Sequence, residues 1–172
     1  MDKNHDDQHV KAKCPFQHTF FEKIIKEQNS KYKTKVLKSY NVDINEYDFS
    51  HYDAFLWTGG LGNIYEKNSH NKKQLEIFTK IVELGKPIWG SCWGLQVFVT
   101  VLGGKITKSS IPEFGFANNI KIKNEHYIYR NKKDLFTAPG HHYDSIENIP
   151  NDFQVISEND FSIQSIVHKK YN

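Results

Sequence analysis

Gly90-Ser91-Cys92-Trp93-Gly94 is the stretch of sequence that decides the fold, together with the segment on either side of it. Before it, Lys86-Pro-Ile-Trp89 is a short apolar run that predicts a strand. After it, the apolar run from Leu95 to Leu102 predicts a helix that ends at Gly103-Gly104. A strand that turns sharply into a helix through flanking glycines brings the two elements close together in a strained turn.

This turn predicts that Cys92 is a nucleophile, because strand, tight turn and helix are the context of a nucleophile elbow. The turn would lift the sulfur out of the sheet and place it near a helix N-terminus, where free N–H groups favour the thiolate. The backbone N–H of Trp93 would then point at an oxyanion formed by attack on a carbonyl. From the residues alone, the alternative is that Cys92 is a small buried apolar residue.

The rest of the chain predicts helix–strand alternation first and strands later. The first half has helical spacing in Phe16–Gln28 and in Leu75–Leu84, and strand-like runs at Lys35–Tyr40 and at Asp53–Trp57, the latter breaking into Thr58-Gly-Gly-Leu-Gly62. In the second half apolar residues alternate with polar ones around Ile106, Ile120–Ile122, Tyr127–Tyr129, Val155–Ile156 and Ile163–Val167. We therefore expect a three-layer α/β/α domain with a mostly parallel central sheet and extra β-strands in the C-terminal half.

Composition places few further limits on function. The 172 residues, 38% hydrophobic and 25% charged, are typical of one globular domain. The net charge of +3 is small and spread along the chain, so we expect no nucleic-acid and no membrane partner. Apolar runs are too short to span a bilayer, and Cys14 and Cys92 form no obvious disulfide framework, so we expect a cytoplasmic, reducing setting.

The N-terminal segment is rich in aspartate and histidine. His5 and His9 stand four residues apart and could hold a metal ion in a helix. A solvated, flexible terminus is the simpler interpretation of Asp2–His9, and we predict no metal. A phosphate-binding glycine motif is also absent, and we predict no cofactor.

Several segments, in order along the chain, resemble the class I glutamine amidotransferases, in particular the amidotransferase half of GMP synthase. The segments are Asp53–Gly62 for the oxyanion strand and glycine loop, Lys86–Gln96 for the nucleophile, Leu102–Lys105 for the helix end, and Glu113–Gly115, His142–Asp144 and Ile149-Pro150 for two later signatures. The resemblance extends from about Asp53 to His168. It implies the flavodoxin-like α/β/α fold of that family.

The resemblance also implies a reaction. Cys92 would attack the side-chain amide of L-glutamine, ammonia would leave, and water would hydrolyse the γ-glutamyl thioester. The N–H groups of Gly60 and Trp93 would form the oxyanion hole, Gly62 would line the cleft, and Gln96 would help to hold glutamine. From the residues alone, the glycines could equally be a tight turn and Gln96 an exposed helix residue.

Four later residues would border the amino-acid end of glutamine by the same resemblance: Glu113, His142, Tyr143 and Asp144. From the residues alone, this segment could be a polar loop with surface histidines. The sequence departs from the family at three positions, where His141 stands for the usual Ser, Tyr143 for Gly and Leu61 for Pro.

The family completes its site with His, Pro and Glu on a strand just past the one that resembles Ser162–His168, and no His-x-Glu occurs in this sequence. His168 is followed by Lys169-Lys170 and is not assigned to that role. The family also opens with an apolar strand that has no counterpart here. We therefore expect residues 1–172 to be a single amidotransferase-like domain that lacks its first strand and its catalytic His-x-Glu strand, as part of a longer protein.

Three functions remain open from the sequence. The first is a glutaminase or amidotransferase domain that passes ammonia to a synthetase or other acceptor, present as a separate subunit or as a further domain. The second is a non-catalytic, naturally shortened module that binds glutamine or a partner protein. The third is a γ-glutamyl hydrolase, which uses the same fold and nucleophile.

Overall fold

The computed structural model describes residues 3–169, with the backbone alone for residues 3–5. The helices are α1 (Lys3–Lys11), α2 (Gln17–Gln28), α3 (Ser69–Glu83) and α4 (Trp93–Val101). The strands are β1 (Phe55–Trp57), β2 (Ile88–Gly90), β3 (Lys105–Ile122), β4 (Leu135–Asn148), β5 (Phe153–Glu158) and β6 (Ile163–His168). The chain divides between Phe98 and Val99 into two compact units.

The first unit is built on a strand–helix–strand arrangement. β1 and β2 pair in parallel, with Phe55 opposite Ile88, and α3 is the connection that parallel strands require. Apolar residues on one side of α3, including Ile77 and Ile81, are buried together with Phe49. The predicted strands at Asp53–Trp57 and Lys86–Trp89 and the helices on either side of the second strand are confirmed.

The second unit is an antiparallel sheet of four strands in the order β4-β3-β5-β6. β3 and β4 form a long hairpin with register shifts, one of them between Lys108 and Glu113. Such irregularities bend a strand and change which side chains face inward. The extra β structure expected in the C-terminal half is confirmed, while the parallel pattern within the described residues is confined to β1 and β2.

Two strand predictions are wrong. Lys35–Tyr40 forms no strand: its last residues enter a short 3-10 helix, Ser39–Asn41, and the side chains of Lys38 and Tyr40 reach Asp6 instead of a neighbouring strand. Tyr127–Tyr129 is also a 3-10 helix, capped by His126. Its aromatic and β-branched residues are typical of strands, but its backbone bonds locally: the Tyr129 N–H donates to the His126 carbonyl (2.9 Å) and the Arg130 N–H to the Tyr127 carbonyl (3.1 Å).

The N-terminal segment differs from the expected flexible terminus, because it forms α1 and buries Asp6. Burial alone would raise the pKa of Asp6, but hydrogen bonds from Lys38 (2.6 Å) and Tyr40 (2.8 Å) bring the pKa below its ordinary value. Asp2 and the side chain of His5 lie outside the described residues. Over the part that is described, no group of three His, Cys, Asp or Glu residues could hold a metal ion.

The predicted helix at Phe16–Gln28 is confirmed as α2, but no residue of α2 is buried and its apolar residues Phe20 and Ile24 are exposed. Along residues 3–169, no helix combines the length and apolar character needed to cross a membrane.

Candidate active site

Cys92 occupies the turn between β2 and α4 in a left-handed backbone conformation, with φ of +50°. This conformation is unfavourable for a residue with a side chain and persists only where surrounding contacts impose it. Here the Ser91 N–H donates to the Trp57 carbonyl (2.9 Å), and the Gln96 N–H donates to the Cys92 carbonyl (3.1 Å). Cys92 is exposed, which contradicts the alternative of a buried apolar cysteine.

Gly90 and Gly94, the glycines two residues before and after Cys92, are needed because the backbone is crowded. A Cβ on Gly90 would lie 2.8 Å from the carbonyl carbon of Gly94. A Cβ on Gly94 would lie 2.6 Å from the Trp57 carbonyl oxygen, at the end of β1. β1, β2 and the start of α4 therefore meet at distances that only glycine allows.

The glycine loop after β1 runs along the indole ring of Trp93. A Cβ on Gly60 would lie 3.1 Å from Cγ of Trp93, and one on Gly62 would lie 3.8 Å from Cζ3 at the other end of the ring. Gly62 has a φ of +106°, which glycine adopts without strain. Trp93 is 1% exposed, so its ring is a buried surface on which the glycine loop packs.

The Trp93 ring is held in turn by a buried amide on α3. Oε1 of Gln74, a residue 1% exposed, accepts from Nε1–H of Trp93 (2.9 Å) and of Trp57 (3.3 Å). The amide nitrogen of Gln74 then donates to Nε2 of His70, so this hydrogen bond assigns the acceptor role to that nitrogen. The His70 ring also stacks on the Trp93 indole, with centroids 6.5 Å apart.

A second buried amide on α3 holds the glycine loop. Asn71 donates through Nδ2 to the carbonyl oxygens of Asn63 (2.8 Å) and Glu66 (2.9 Å). Its backbone N–H is bound by the side chain of Asn68, which caps the helix. The loop and the cysteine turn are therefore both attached to the first two turns of α3.

Gln96 lies one turn into α4 and is 9% exposed, which contradicts the alternative of an exposed helix residue. Cys92, Trp93, Gly60, Gly62 and Gln96 all belong to the first unit.

Glu113 is the centre of the polar cluster in the second unit. Its carboxylate is 5% exposed and accepts four hydrogen bonds or ion-pair contacts: from Ser162 Oγ (2.6 Å), Gln164 Nε2 (2.7 Å) and His142 Nε2 (3.1 Å) at Oε2, and from Asn159 Nδ2 (2.6 Å) at Oε1. β3 is thereby attached to β4 and to the turn between β5 and β6. Burial alone would raise the pKa of Glu113, but the hydrogen bonds from Ser162, Asn159 and Gln164 and the nearby His142 bring it below its ordinary value.

His142 lies directly opposite Glu113 in the β3–β4 register. Its Nδ1 lies 3.0 Å from the carbonyl oxygen of Asp144, so both ring nitrogens face acceptors. Asp144 is itself 5% exposed.

Tyr143 points to the other face of the β3–β4 hairpin and is exposed. Its ring makes an edge contact with Phe114 at 4.6 Å between centroids, and Phe114 also contacts His141 at 5.0 Å. Two of the three residues that depart from the family pattern, His141 and Tyr143, therefore pack on one common aromatic neighbour. The segment is part of β4, so the alternative of a polar loop is wrong.

The polar residues behind these groups were not predicted from the sequence: Asn71 and Gln74 in the first unit, and Asn159, Ser162 and Gln164 in the second. For α3 a signal was present, because Asn71 and Gln74 continue the buried stripe of Phe78 and Ile81 with polar side chains. His168, at the end of β6, packs edge-on against Phe153 at 4.8 Å.

A family model described as glutamine amidotransferase class-I matches residues 16–172. The chain belongs to the class I glutamine amidotransferase family.

Relatives of known description include a gamma-glutamyl-L-1-hydroxyisopropylamide hydrolase of a Pseudomonas species, 27% identical over 156 residues, which are 85% of this chain and 52% of the relative. A glutamine-hydrolyzing GMP synthase of Vibrio parahaemolyticus is 29% identical over 134 residues, 75% of this chain and 25% of the relative. The amidotransferase chain thus spans about half of the first relative and a quarter of the second.

Among solved structures, a Thermoplasma acidophilum protein described as a GMP synthase subunit matches with a TM-score of 0.67 at 25% identity, covering 80% of this chain and 66% of that one. This match confirms the α/β amidotransferase fold that the sequence predicts.

Proposed function

We propose that this chain carries the glutaminase half-reaction of a class I glutamine amidotransferase, with Cys92 as the nucleophile. The observation that carries the proposal is the backbone of Cys92: an exposed cysteine at φ +50° between two glycines that cannot bear a Cβ. A cysteine in an unfavourable conformation at the start of a helix has no packing role to explain it, whereas nucleophilic attack requires this exposure.

The Cys92 thiolate attacks the side-chain carbonyl carbon of glutamine, so that an S–C bond forms and the carbonyl electron pair moves to oxygen. The N–H groups of Gly60 and Trp93 stabilise this oxyanion; their residues are in contact across the Trp93 ring. Collapse breaks the C–N bond, and the amine takes up a proton and leaves as ammonia. Water then hydrolyses the γ-glutamyl thioester to glutamate and regenerates the thiol. By the family resemblance a His–Glu pair transfers these protons, and no residue of this chain is assigned to that role.

The remaining site residues are proposed from the resemblance. Gly62 lines the cleft and Gln96 helps to hold glutamine, both in the first unit with Cys92. By the same resemblance, Glu113, His142 and Asp144 border the amino-acid end of the substrate, and Tyr143, whose ring lies on the other face of the β3–β4 hairpin, contributes through its backbone. A synthetase domain or subunit is the proposed acceptor of ammonia, since the chain is similar to a glutamine-hydrolyzing GMP synthase.

The test is covalent labelling by a glutamine analogue with an electrophilic side chain, 6-diazo-5-oxo-L-norleucine, followed by peptide mass spectrometry. We expect one adduct, on Cys92, that excess glutamine prevents and that Cys92→Ser abolishes. The second cysteine provides a matched control: Cys14 is also exposed, and Cys14→Ser should leave labelling unchanged. Equal labelling of the Cys92→Ser protein would contradict the proposal. Binding of glutamine by calorimetry without any adduct would favour the non-catalytic module instead.

A second candidate is hydrolysis of γ-glutamyl amides other than glutamine. It is favoured by the hydrolase relative, which matches 85% of this chain, compared with 75% for the GMP synthase. The chemistry at Cys92 is the same, and only the leaving amine differs. Competition between glutamine and γ-glutamyl-isopropylamide for labelling of Cys92 separates the two, because a glutamine-specific site should be protected by glutamine at much lower concentration.

A further inference from the structure

We propose that Gln74 is a positioning residue for the oxyanion hole, acting through the Trp93 indole. The inference rests on the proposed function of Cys92 and adds to it residues on α3 that touch neither substrate nor sulfur. Gln74 fixes the ring, the ring fixes the loop that carries Gly60, and the backbone of Trp93 carries the second donor.

The first step of the argument concerns Gln74 itself. It is 1% exposed and continues the apolar stripe of Phe78 and Ile81 on α3, where an apolar residue would avoid the desolvation of an amide. Its polar atoms nevertheless all have partners, namely the N–H groups of Trp93 and Trp57 and a ring nitrogen of His70. Buried amides with complete hydrogen bonding fix the orientation of the groups they bind.

The second step concerns what the indole contacts. An indole that lost its hydrogen bond at Nε1 could tilt, and Gly60 packs directly on the Cγ and Cδ1 edge of the ring. Because Gly60 and Trp93 would each supply one N–H to the oxyanion, a tilt changes the distance between the two donors. Oxyanion stabilisation requires each donor to lie about 2.7–3.1 Å from the position that the oxyanion will occupy, so a small change in donor spacing weakens it.

The third step is that α3 also holds the far end of the same loop. Asn71, three residues before Gln74 on the same face of the helix, binds the carbonyl oxygens of Asn63 and Glu66. α3 therefore holds the loop through Asn71 and the cysteine turn through Gln74. The spacing of the two oxyanion donors is set by one rigid helix.

The test compares two reactions of the Cys92 thiolate in the full chain. Acylation by the γ-p-nitrophenyl ester of glutamate forms an S–C bond, passes through an oxyanion and expels p-nitrophenolate with the bonding electron pair. Alkylation by iodoacetamide forms an S–C bond and expels iodide with no oxyanion. Only the first reaction depends on the hole, so thiolate formation and folding affect both while positioning affects acylation alone.

We expect Gln74→Met to slow acylation by at least about tenfold, because complete removal of an oxyanion donor slows a reaction about a hundredfold or more and this variant would only displace one. The rate of alkylation should change by less than about twofold. Trp93→Phe keeps the ring against Gly60 but removes the N–H, and it should act in the same direction. Trp57→Phe removes the other indole N–H bound by Gln74 and is the matched control, with acylation expected within about twofold of the parent. If Gln74→Met does not fold, the two tryptophan variants decide the question by themselves.

The double variant Gln74→Met/Trp93→Phe should be no slower than the slower single variant, because both changes break one interaction. Unchanged acylation in Gln74→Met, equal loss in Trp57→Phe, or parallel loss of acylation and alkylation would each overturn the inference. Parent protein that is alkylated but not acylated at Cys92 would contradict the proposed function itself, which keeps the two failures apart.

Discussion

Cys92 in the first unit and Glu113 in the second unit differ in exposure, in backbone conformation and in hydrogen bonding. Cys92 is exposed and its backbone is held at φ +50°. Glu113 is 5% exposed, has no positive φ, and both of its carboxylate oxygens accept hydrogen bonds. The first arrangement is unfavourable by about 1–3 kcal/mol for a residue with a side chain, while the second offsets the burial of a charge with short polar contacts.

This difference indicates which region is built for chemistry and which for support. A group that must attack a substrate has to remain accessible. Its conformation is held by the backbone hydrogen bonds of Ser91 and Gln96 and by the close approaches at Gly90 and Gly94. A carboxylate with a complete set of donors joins strands that are distant in sequence. We therefore expect replacement of Cys92 by glycine to raise the free energy of unfolding and replacement of Glu113 by glutamine to lower it.

The largest expected change in stability is a loss at Glu113. Glu113→Gln should lower the free energy of unfolding by about 3 kcal/mol, because the amide NH₂ would face donors and His142 would lose its charged partner. Urea titration at neutral pH measures this. The matched control is Glu147→Gln, since Glu147 pairs with Lys105 (2.7 Å) at the surface and should contribute less than about 1 kcal/mol. Equal losses in both variants would contradict a supporting role for the cluster.

The same pair of proteins tests the pH dependence of the cluster. The pKa of Glu113 is lowered in the folded state from its ordinary value of 4.5, so the ionised carboxylate favours folding. Its contribution is complete above the unfolded pKa and is lost as the pH falls through the lower folded pKa. Unfolding titrations between about pH 6 and about pH 3 should therefore show a steeper loss for the parent than for Glu113→Gln. Parallel curves would contradict the lowered pKa.

The next largest expected effect is at the glycines of the cysteine turn. Gly94→Ala should destabilise the protein by about 2 kcal/mol, because the new Cβ would lie 2.6 Å from the Trp57 carbonyl oxygen. Gly85→Ala is the matched control: Gly85 has a φ of +64° but nothing within 4 Å of a Cβ, so only backbone strain of about 1 kcal/mol is expected. Thermal unfolding measures both. A smaller loss for Gly94→Ala than for Gly85→Ala would mean that close approach is not what selects glycine in the turn.

The first unit could be predicted where the pattern is local. β1, β2, α3 and α4 follow from short apolar runs and helical spacing between glycines, and the position of Cys92 follows from the glycines on either side of it. β4 could not be predicted in the same way. Its inward-facing residues around the site are Gly140, His142 and Asp144, so the alternation of polar and apolar residues that marks a strand is absent.

The residues that support the site were only partly accessible from sequence. Gln74 continues the apolar stripe of α3 and could have been singled out as a polar residue in a core position. Three of the four partners of Glu113 lie 46 to 51 residues further along the chain, at Asn159, Ser162 and Gln164. No periodicity or short pattern links positions so far apart, because their contact depends on how β3, β5 and β6 pair.

The smallest expected effect has the opposite sign and bears most directly on Cys92. Cys92→Gly should stabilise the protein by about 1 kcal/mol, since glycine adopts a φ of +50° without strain and Cys92 is exposed, so little packing is lost. Cys14→Gly is the matched control, because Cys14 is exposed without a positive φ and its replacement should be neutral or slightly destabilising. Urea titration of the two variants beside the parent measures the difference. A gain at Cys92 together with complete loss of labelling would mean that the turn retains a strained cysteine for its reactivity, whereas a loss at both positions would mean that the conformation of Cys92 carries no strain.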